Sequence, residues 1–176
     1  FTPYVTGISE SKGGAGNPSP ITAYGVFMGM KAAAKFKFGS DDLENKSVIV
    51  QGIGHVGESL VEHLTNDGAK VIISDINEER LEAVKAKYGA EIYTGNNIYT
   101  EPVDIYAPCA LGATLNDITI PRLKCRAVVG AANNQLARED MGELLQQRGI
   151  LYAPDYVINA GGVIDIFHQR METSSN

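Results

Sequence analysis

The decapeptide Val48-Ile49-Val50-Gln51-Gly52-Ile53-Gly54-His55-Val56-Gly57 sets three glycines in G-x-G-x-x-G spacing directly after an apolar run. Glycines so spaced can hold a pyrophosphate. Gly52 allows a tight turn, Gly54 lets the backbone approach phosphate oxygens, and Gly57 lets the next helix pack close to the strand with its first amides facing the anion. Ser59, Leu60, Val61 and Leu64 continue with helical spacing to Gly68, and a second apolar run, Lys70 to Ser74, ends at Asp75. Asp75 lies eighteen residues beyond Gly57, where an acidic side chain in such a unit accepts the ribose hydroxyls of a dinucleotide. The expected cofactor is therefore NAD. A 2′-phosphate would meet the Asp75 carboxylate, and the nearest arginine, Arg80, sits about one and a half helical turns further on. The expected cofactor set is the loop Gly52, Ile53, Gly54, His55, Val56 and Gly57 together with Asp75 and Ile76. A methyltransferase glycine loop is the competing chemistry, but it usually lacks the third glycine in this register.

Three further residues invite a chemical role and are read otherwise. His55 occupies a variable position of the glycine loop, where the backbone does the binding, so it is expected as an exposed helix-start residue. Cys109 has no histidine near it in sequence and reads as a small lining residue, while Cys125 precedes a strand and reads as structural. Two cysteines with only His55, His63 and His168 give neither a disulfide framework nor metal-ligand spacing, so no metal is expected.

These residues need a parallel sheet to position them. Strand-like and helix-like segments alternate after residue 46 at lengths suited to βαβ crossovers, which predicts a doubly wound α/β fold of Rossmann type, three layers deep, around a mostly parallel sheet. A leading helix over 18–38 is expected to start with Ser19 as N-cap and Pro20 in the first turn. Its apolar stripe reads as Ile21, Tyr24, Phe27, Met28 and Ala32, with Gly39-Ser40-Asp41-Asp42 ending it. Beyond Asp75 come a helix from Glu78 to Tyr88 closed by Gly89, and a strand from Ala90 to Tyr93. Strands Val103 to Ala107, Arg126 to Gly130 and Ile150 to Ala153 follow, with a helix from Arg138 to Arg148 before the last. Ligands bind outside the carboxyl ends of such strands. The residues expected there are Pro108-Cys109-Ala110-Leu111-Gly112, Ala131-Ala132-Asn133-Asn134-Gln135 and Asn159-Ala160-Gly161-Gly162, whose small side chains and amides suit a flat, uncharged nicotinamide.

With 176 residues, 44% of them apolar, the chain can bury one sizeable core. Fifteen basic against 21 acidic residues leave a charge of −6 without basic clusters, which argues against nucleic acid and anionic membrane as partners. No apolar run is long enough for a bilayer span and the start lacks a signal-peptide core, so a cytoplasmic protein is expected.

Several segments resemble the nucleotide-binding domain of the Glu/Leu/Phe/Val amino acid dehydrogenases, most of all its leucine-acting branch. They are Tyr4-Val5-Thr6-Gly7-Ile8, Gly16-Asn17-Pro18-Ser19-Pro20-Ile21-Thr22-Ala23-Tyr24-Gly25-Val26, Met30-Lys31-Ala32-Ala33-Ala34-Lys35, Ala107-Pro108-Cys109-Ala110-Leu111-Gly112, Asn134-Gln135-Leu136, and the run from Tyr152 through Asn159-Ala160-Gly161-Gly162 to Ile164. The resemblance implies NAD-dependent oxidative deamination of an L-amino acid to a 2-oxo acid and ammonia. It places Thr22, Cys109, Ala110, Ala131 and Asn134 near the nicotinamide, Asn134 also near the substrate amino group, and Val163 and Ile166 in the side-chain pocket. Two aliphatic residues there suit leucine, valine or isoleucine. It further implies one nucleotide domain over 1–176, with 1–17 as interdomain connection, 18–38 as leading helix and 47–176 as core. The lysines and aspartate of the proton chemistry would belong to an N-terminal catalytic domain outside this chain, and the parent protein would be a homo-oligomer. Lys12, Lys31 and Lys35 fall outside the catalytic motif, so no catalytic residue is expected here and the chain alone should bind NAD without turnover. A phenylalanine- or valine-acting domain, and a free-standing NAD(H)-binding regulatory module, are the other readings.

Overall fold

Short apolar runs joined by helices give parallel strands, because a βαβ crossover returns the chain to the same edge of the sheet with the same direction. In the computed structural model, which describes residues 17–164 and residue 167, Ser47–Gln51 forms β1, and its Val48, Ile49 and Val50 are fully buried, as in a central strand covered on both faces. The helix α1 (Ser19–Phe38) precedes it. After it come α2 (His55–Asn66), β2 (Lys70–Ser74), α3 (Glu78–Tyr88) and β3 (Glu91–Ile92). A 3₁₀ turn at Ile98–Thr100, β4 (Ile105–Pro108) and a second 3₁₀ turn at Ile120–Arg122 lead to β5 (Ala127–Val128), α4 (Met141–Gln147), β6 (Leu151–Tyr152) and α5 (Asp155–Ile158).

The strands form one six-stranded sheet, all parallel, in the order β3-β2-β1-β4-β5-β6. Val48 of β1 stands opposite Val71 on one side and Ile105 on the other, so strand order reverses between β1 and β4. That reversal opens a crevice at the carboxyl ends, the place where such sheets bind ligands. One core layer gathers Val48, Val50, Ile73, Ile105 and Ala107 with Leu60, Leu64, Leu81 and Val84 of α2 and α3. The other gathers Ile49, Tyr106 and Val128 with Ile120, Met141 and Leu145. Leu60 is fully buried in the first layer, and Leu60→Ala is expected to lower unfolding free energy by about 2–5 kcal/mol, read as an earlier urea midpoint at unchanged slope. An unchanged midpoint would mean that α2 does not pack as described.

The structure corrects several element boundaries. Pro18, not Ser19, caps α1, and it is the Asn17 side chain that accepts the Ser19 N–H, at 3.1 Å. The buried stripe of α1 is Ala23, Val26, Met30, Ala33 and Ala34, whereas Ile21, Tyr24 and Met28 are exposed, Ala32 is exposed, and Phe27 only edges onto the core. The three alanines of this stripe, with Val26 and Met30, turn inward where α1 packs against α2. Lys31 is tied to Asp67 of that neighbour at 2.8 Å rather than standing solvated. The strands after β2 are shorter than the apolar runs that contain them: β3 is Glu91–Ile92, β5 Ala127–Val128 and β6 Leu151–Tyr152, and β4 begins at Ile105 rather than Val103. Asp104 is held out of β4 by its side chain, which accepts the Ser47 N–H at 3.0 Å. The helix expected from Arg138 begins at Met141, because Arg138 is drawn into ion pairs with Asp117 and Asp140. The segment 1–16, with Lys12 and most of the expected connection, lies outside the described residues, as does Ile166.

Candidate cofactor-binding site

Gly52 leaves β1 with φ of 94°, a left-handed conformation that L side chains rarely adopt, and donates its N–H to the Ser74 carbonyl at 2.7 Å. A Cβ on Gly52 would sit 2.6 Å from the Ala110 Cβ, so the loops after β1 and β4 are in direct contact at this point. A Cβ on Gly57 would collide with the Gly52 carbonyl oxygen. Gly54 differs from both: it caps α2 in an extended conformation, and a Cβ there would meet nothing within 4 Å. Two glycines are thus required by close packing, and the third faces open space beside the first-turn N–H groups of α2, which lack intrahelical acceptors. Ile53 is fully buried and Val56 half-buried in the core, while His55 is exposed, as expected of a helix-start residue.

The end of β2 supplies a carboxylate to the same loop. Asp75 accepts the Ile53 N–H at 2.9 Å through one oxygen and the Asn77 N–H at 3.0 Å through the other. Partial burial pushes its pKa up, but the N–H groups of Ile53 and Asn77 and the charge of Arg80 outweigh it and hold the carboxyl below its ordinary value of 3.8. Ile76 beside it is fully exposed, an apolar surface large enough to face a heteroaromatic ring.

On the other side of the crevice three loops meet. Cys109 is half-buried and donates its N–H to the Gln51 carbonyl at 2.8 Å, and burial pushes its thiol up to about 11, which disfavours the thiolate. Ala110 and Asn134 are exposed and Ala131 is half-buried. The Asn159 side chain bridges to the Ala131 carbonyl at 3.3 Å and to Asn133 Oδ1 at 2.6 Å. Thr22 Oγ1 donates to the Pro18 carbonyl at 3.0 Å and stands where a Cβ on Gly162 would collide with it, which brings α1 to the Gly161-Gly162 turn. Val163 is largely exposed. The sequence-read residues Thr22, Gly52, Gly54, Gly57, Asp75, Cys109, Ala110, Ala131 and Asn134 are all on strand-end loops or the elements against them.

For three contributors the sequence predicts no bond: Gln135 stands only among the strand-end residues, Tyr106 only within an expected strand and Asp155 only within a resembling segment. Gln135, fully buried, donates its Nε2 to the carbonyls of Gly130 and Ala132 at 2.8 and 2.9 Å and so fixes the loop after β5. The Tyr106 hydroxyl donates to Gln51 Oε1 beneath the glycine loop, and burial raises its pKa well above the usual phenol range. Asp155 accepts the Asn134 N–H. All three are long-range or loop-specific bonds that no local spacing announces. Among the described residues no cluster of His, Cys, Asp or Glu could hold a metal, and no helix is long and apolar enough to cross a membrane.

A close-packed glycine loop, a carboxylate bonded to it and an amide-lined crevice have relatives. A family model described as Glutamate/Leucine/Phenylalanine/Valine dehydrogenase matches residues 13–77 and 73–172. The leucine dehydrogenase of Thermoactinomyces intermedius is 58% identical over 165 residues, 94% of this chain and 45% of that protein. The valine dehydrogenase of Streptomyces virginiae is 48% identical over 166 residues, 93% of this chain and 46% of that one. The crystal structure of L-tryptophan dehydrogenase from Nostoc punctiforme superposes with a TM-score of 0.84 at 45% identity, covering 88% of this chain and 46% of that chain. The chain spans about half the length of the curated relatives it matches. With the family match running through both the glycine loop and the amide-lined crevice, the chain belongs to the Glu/Leu/Phe/Val dehydrogenase family and supplies a Rossmann-type domain of it.

Proposed function

We propose that this chain is the nucleotide-binding domain of an NAD-dependent L-amino acid dehydrogenase acting on a branched-chain substrate, leucine with valine and isoleucine. The observation that carries the reading is the open face of Gly54 set between two close-packed glycines, with the Asp75 carboxylate bonded to the same loop. The loop from Gly52 to Gly57 would receive the pyrophosphate on backbone N–H groups, Asp75 the adenosine ribose, and Ile76 the adenine face. Thr22, Cys109, Ala110, Ala131 and Asn134 would line the nicotinamide end, with small side chains leaving room for the ring and amides answering its carboxamide. When bound, the nicotinamide supplies an acceptor for hydride from the substrate α-carbon.

In this reading the residues of the chain bind and orient, and none of the described residues in the crevice is assigned the proton chemistry. Cys109 stays a neutral thiol and His55 sits in the phosphate loop. The lysines and aspartate that move protons and hold the substrate carboxylate are assigned to another domain of the same protein, which is also assigned the main oligomer contacts. Val163 and Ile166 are assigned to the aliphatic side-chain pocket, a reading supported by relatives named leucine and valine dehydrogenase. Calorimetric titration of the 176-residue chain tests this. NAD is expected to bind at least about ten-fold more tightly than NADP, because a carboxylate would repel a 2′-phosphate. No leucine-dependent NADH production is expected from the chain alone. A chain folded by circular dichroism that binds neither nucleotide overturns the cofactor assignment, and robust turnover overturns the placement of the proton chemistry.

A further inference from the structure

Asp155 joins the loop after β5 to the first residue of α5. One of its oxygens accepts the Asn134 N–H at 2.7 Å and the other accepts the Tyr152 hydroxyl at 3.1 Å. From the opposite side the Asn134 carbonyl accepts the Ala113 N–H at 2.7 Å. Between these two anchors Asn134 has φ of 52°, a left-handed conformation that asparagine adopts more readily than other side-chain-bearing residues and that the two backbone bonds fix here. Its backbone is therefore satisfied on both sides, while its carboxamide is exposed and makes no hydrogen bond to any described residue. The Asn159 side chain adds a parallel tie, reaching Asn133 and Ala131. Burial, with the charge of Asp155 beside it, pushes the Tyr152 phenol up to about 12, so this hydroxyl remains a donor through neutral pH.

We propose that Asp155 is a positioning residue for the nicotinamide end of the crevice: it holds Asn134 left-handed so that the free carboxamide is presented to the ring before the cofactor arrives. Asp155 touches neither cofactor nor substrate in this assignment and acts only through Asn134. A preorganised amide loses less freedom on binding than one carried by a mobile loop. Tyr152 fixes the carboxylate rotamer, and Ala113 sets the other edge of the peptide. The inference rests on the dinucleotide reading above.

Two probes separate the ends of the site: NADH, which carries the nicotinamide, and ADP-ribose, which lacks it. In the 176-residue chain, Asp155→Ala is expected to weaken NADH about five-fold, the worth of one lost hydrogen bond, and to change ADP-ribose by less than about two-fold. Asp155→Asn keeps an acceptor oxygen and is expected to restore most of the NADH affinity. Asn134→Ala is expected to weaken NADH to a similar extent, and adding Asp155→Ala to it is expected to weaken NADH no further, because the two act through one contact. Parallel loss of both probes, unchanged NADH binding, or additive losses in the double variant overturns the inference. If Asp155→Ala fails to fold, Tyr152→Phe with Asp155→Asn carries the same comparison, with an NADH-selective loss under about five-fold expected for the first and a smaller one still for the second. A wild-type chain that binds neither probe overturns the dinucleotide reading and this inference together, whereas one that binds both while the variants behave otherwise overturns the inference alone.

Discussion

Gly57→Val is expected to remove measurable NAD binding, by at least about 100-fold, and to lower the melting temperature of the chain as well, because backbone at this position has nowhere to move. A Cβ on Gly57 would overlap the carbonyl oxygen of Gly52 and come within 3.6 Å of the Cys109 Cβ. The first obstacle is main chain, which cannot swing aside as the end of a side chain can. Relief requires α2 to slide away from β1, and that shift carries the first-turn N–H groups off the position where phosphate oxygens are proposed to sit. Gly54→Ala provides the control. Its backbone, with φ of −63°, accepts any residue, and a Cβ would meet no protein atom within 4 Å. Its melting temperature is therefore expected to stay at the wild-type value while NAD binding falls about ten-fold or more, since the methyl group fills space left for the cofactor. Calorimetry paired with thermal melting reads both. A Gly54→Ala chain that binds NAD like wild type would place the phosphates elsewhere.

The contrast between these glycines explains what was legible in the sequence. The G-x-G-x-x-G loop and Asp75 are local features, a turn, a helix start and a strand end within twenty-four residues, so spacing alone carries their geometry. The bond from Ile53 N–H to Asp75 realises that spacing. The alternation of runs likewise predicted a doubly wound fold, and the sheet proved parallel throughout. The leading helix was less legible, because Ile21, Tyr24, Met28 and the observed Ala23, Val26, Met30 form two competing apolar stripes on one segment. Only packing against α2, a tertiary fact, selects the face of Ala23, Val26 and Met30. Strand lengths after β2 failed for a related reason. Pairing there spans only two residues at β3, β5 and β6, and flanking Tyr93, Val129 and Ala153 each reach the neighbouring strand by a single backbone bond that does not extend the ladder. Asp155 with Asn134, twenty-one residues apart, and Tyr106 with Gln51, fifty-five apart, depend on how loops converge and left no periodic trace.

Asp75→Ala is expected to weaken NAD about thirty-fold, the effect of losing charge-assisted hydrogen bonds to ribose hydroxyls, and to erase most of the preference over NADP. Two consequences of that substitution need separating, since the carboxylate also accepts the Ile53 and Asn77 N–H groups and so shapes the glycine loop in the free protein. Asp75→Asn does this. It keeps one acceptor oxygen for the loop and removes the charge, so NADP binding is expected to improve over wild type while the melting temperature changes less than in the alanine variant. The pH dependence gives an independent reading. Burial raises the Asp75 pKa, but the hydrogen bonds from Ile53 and Asn77 and the nearby Arg80 prevail and depress it below 3.8. A carboxyl depressed in the folded state contributes stability that is fully present above its unfolded value and is lost as pH falls through the folded one. Affinity for NAD carried by this group is accordingly expected to be level from neutral pH down toward 3.8, and to decline only below it. Titrations of wild type and Asp75→Asn across that range check the point: a wild-type affinity that declines well above 3.8 while the asparagine variant stays level would show a carboxyl raised rather than depressed, and would remove Asp75 from the role of ionised ribose acceptor.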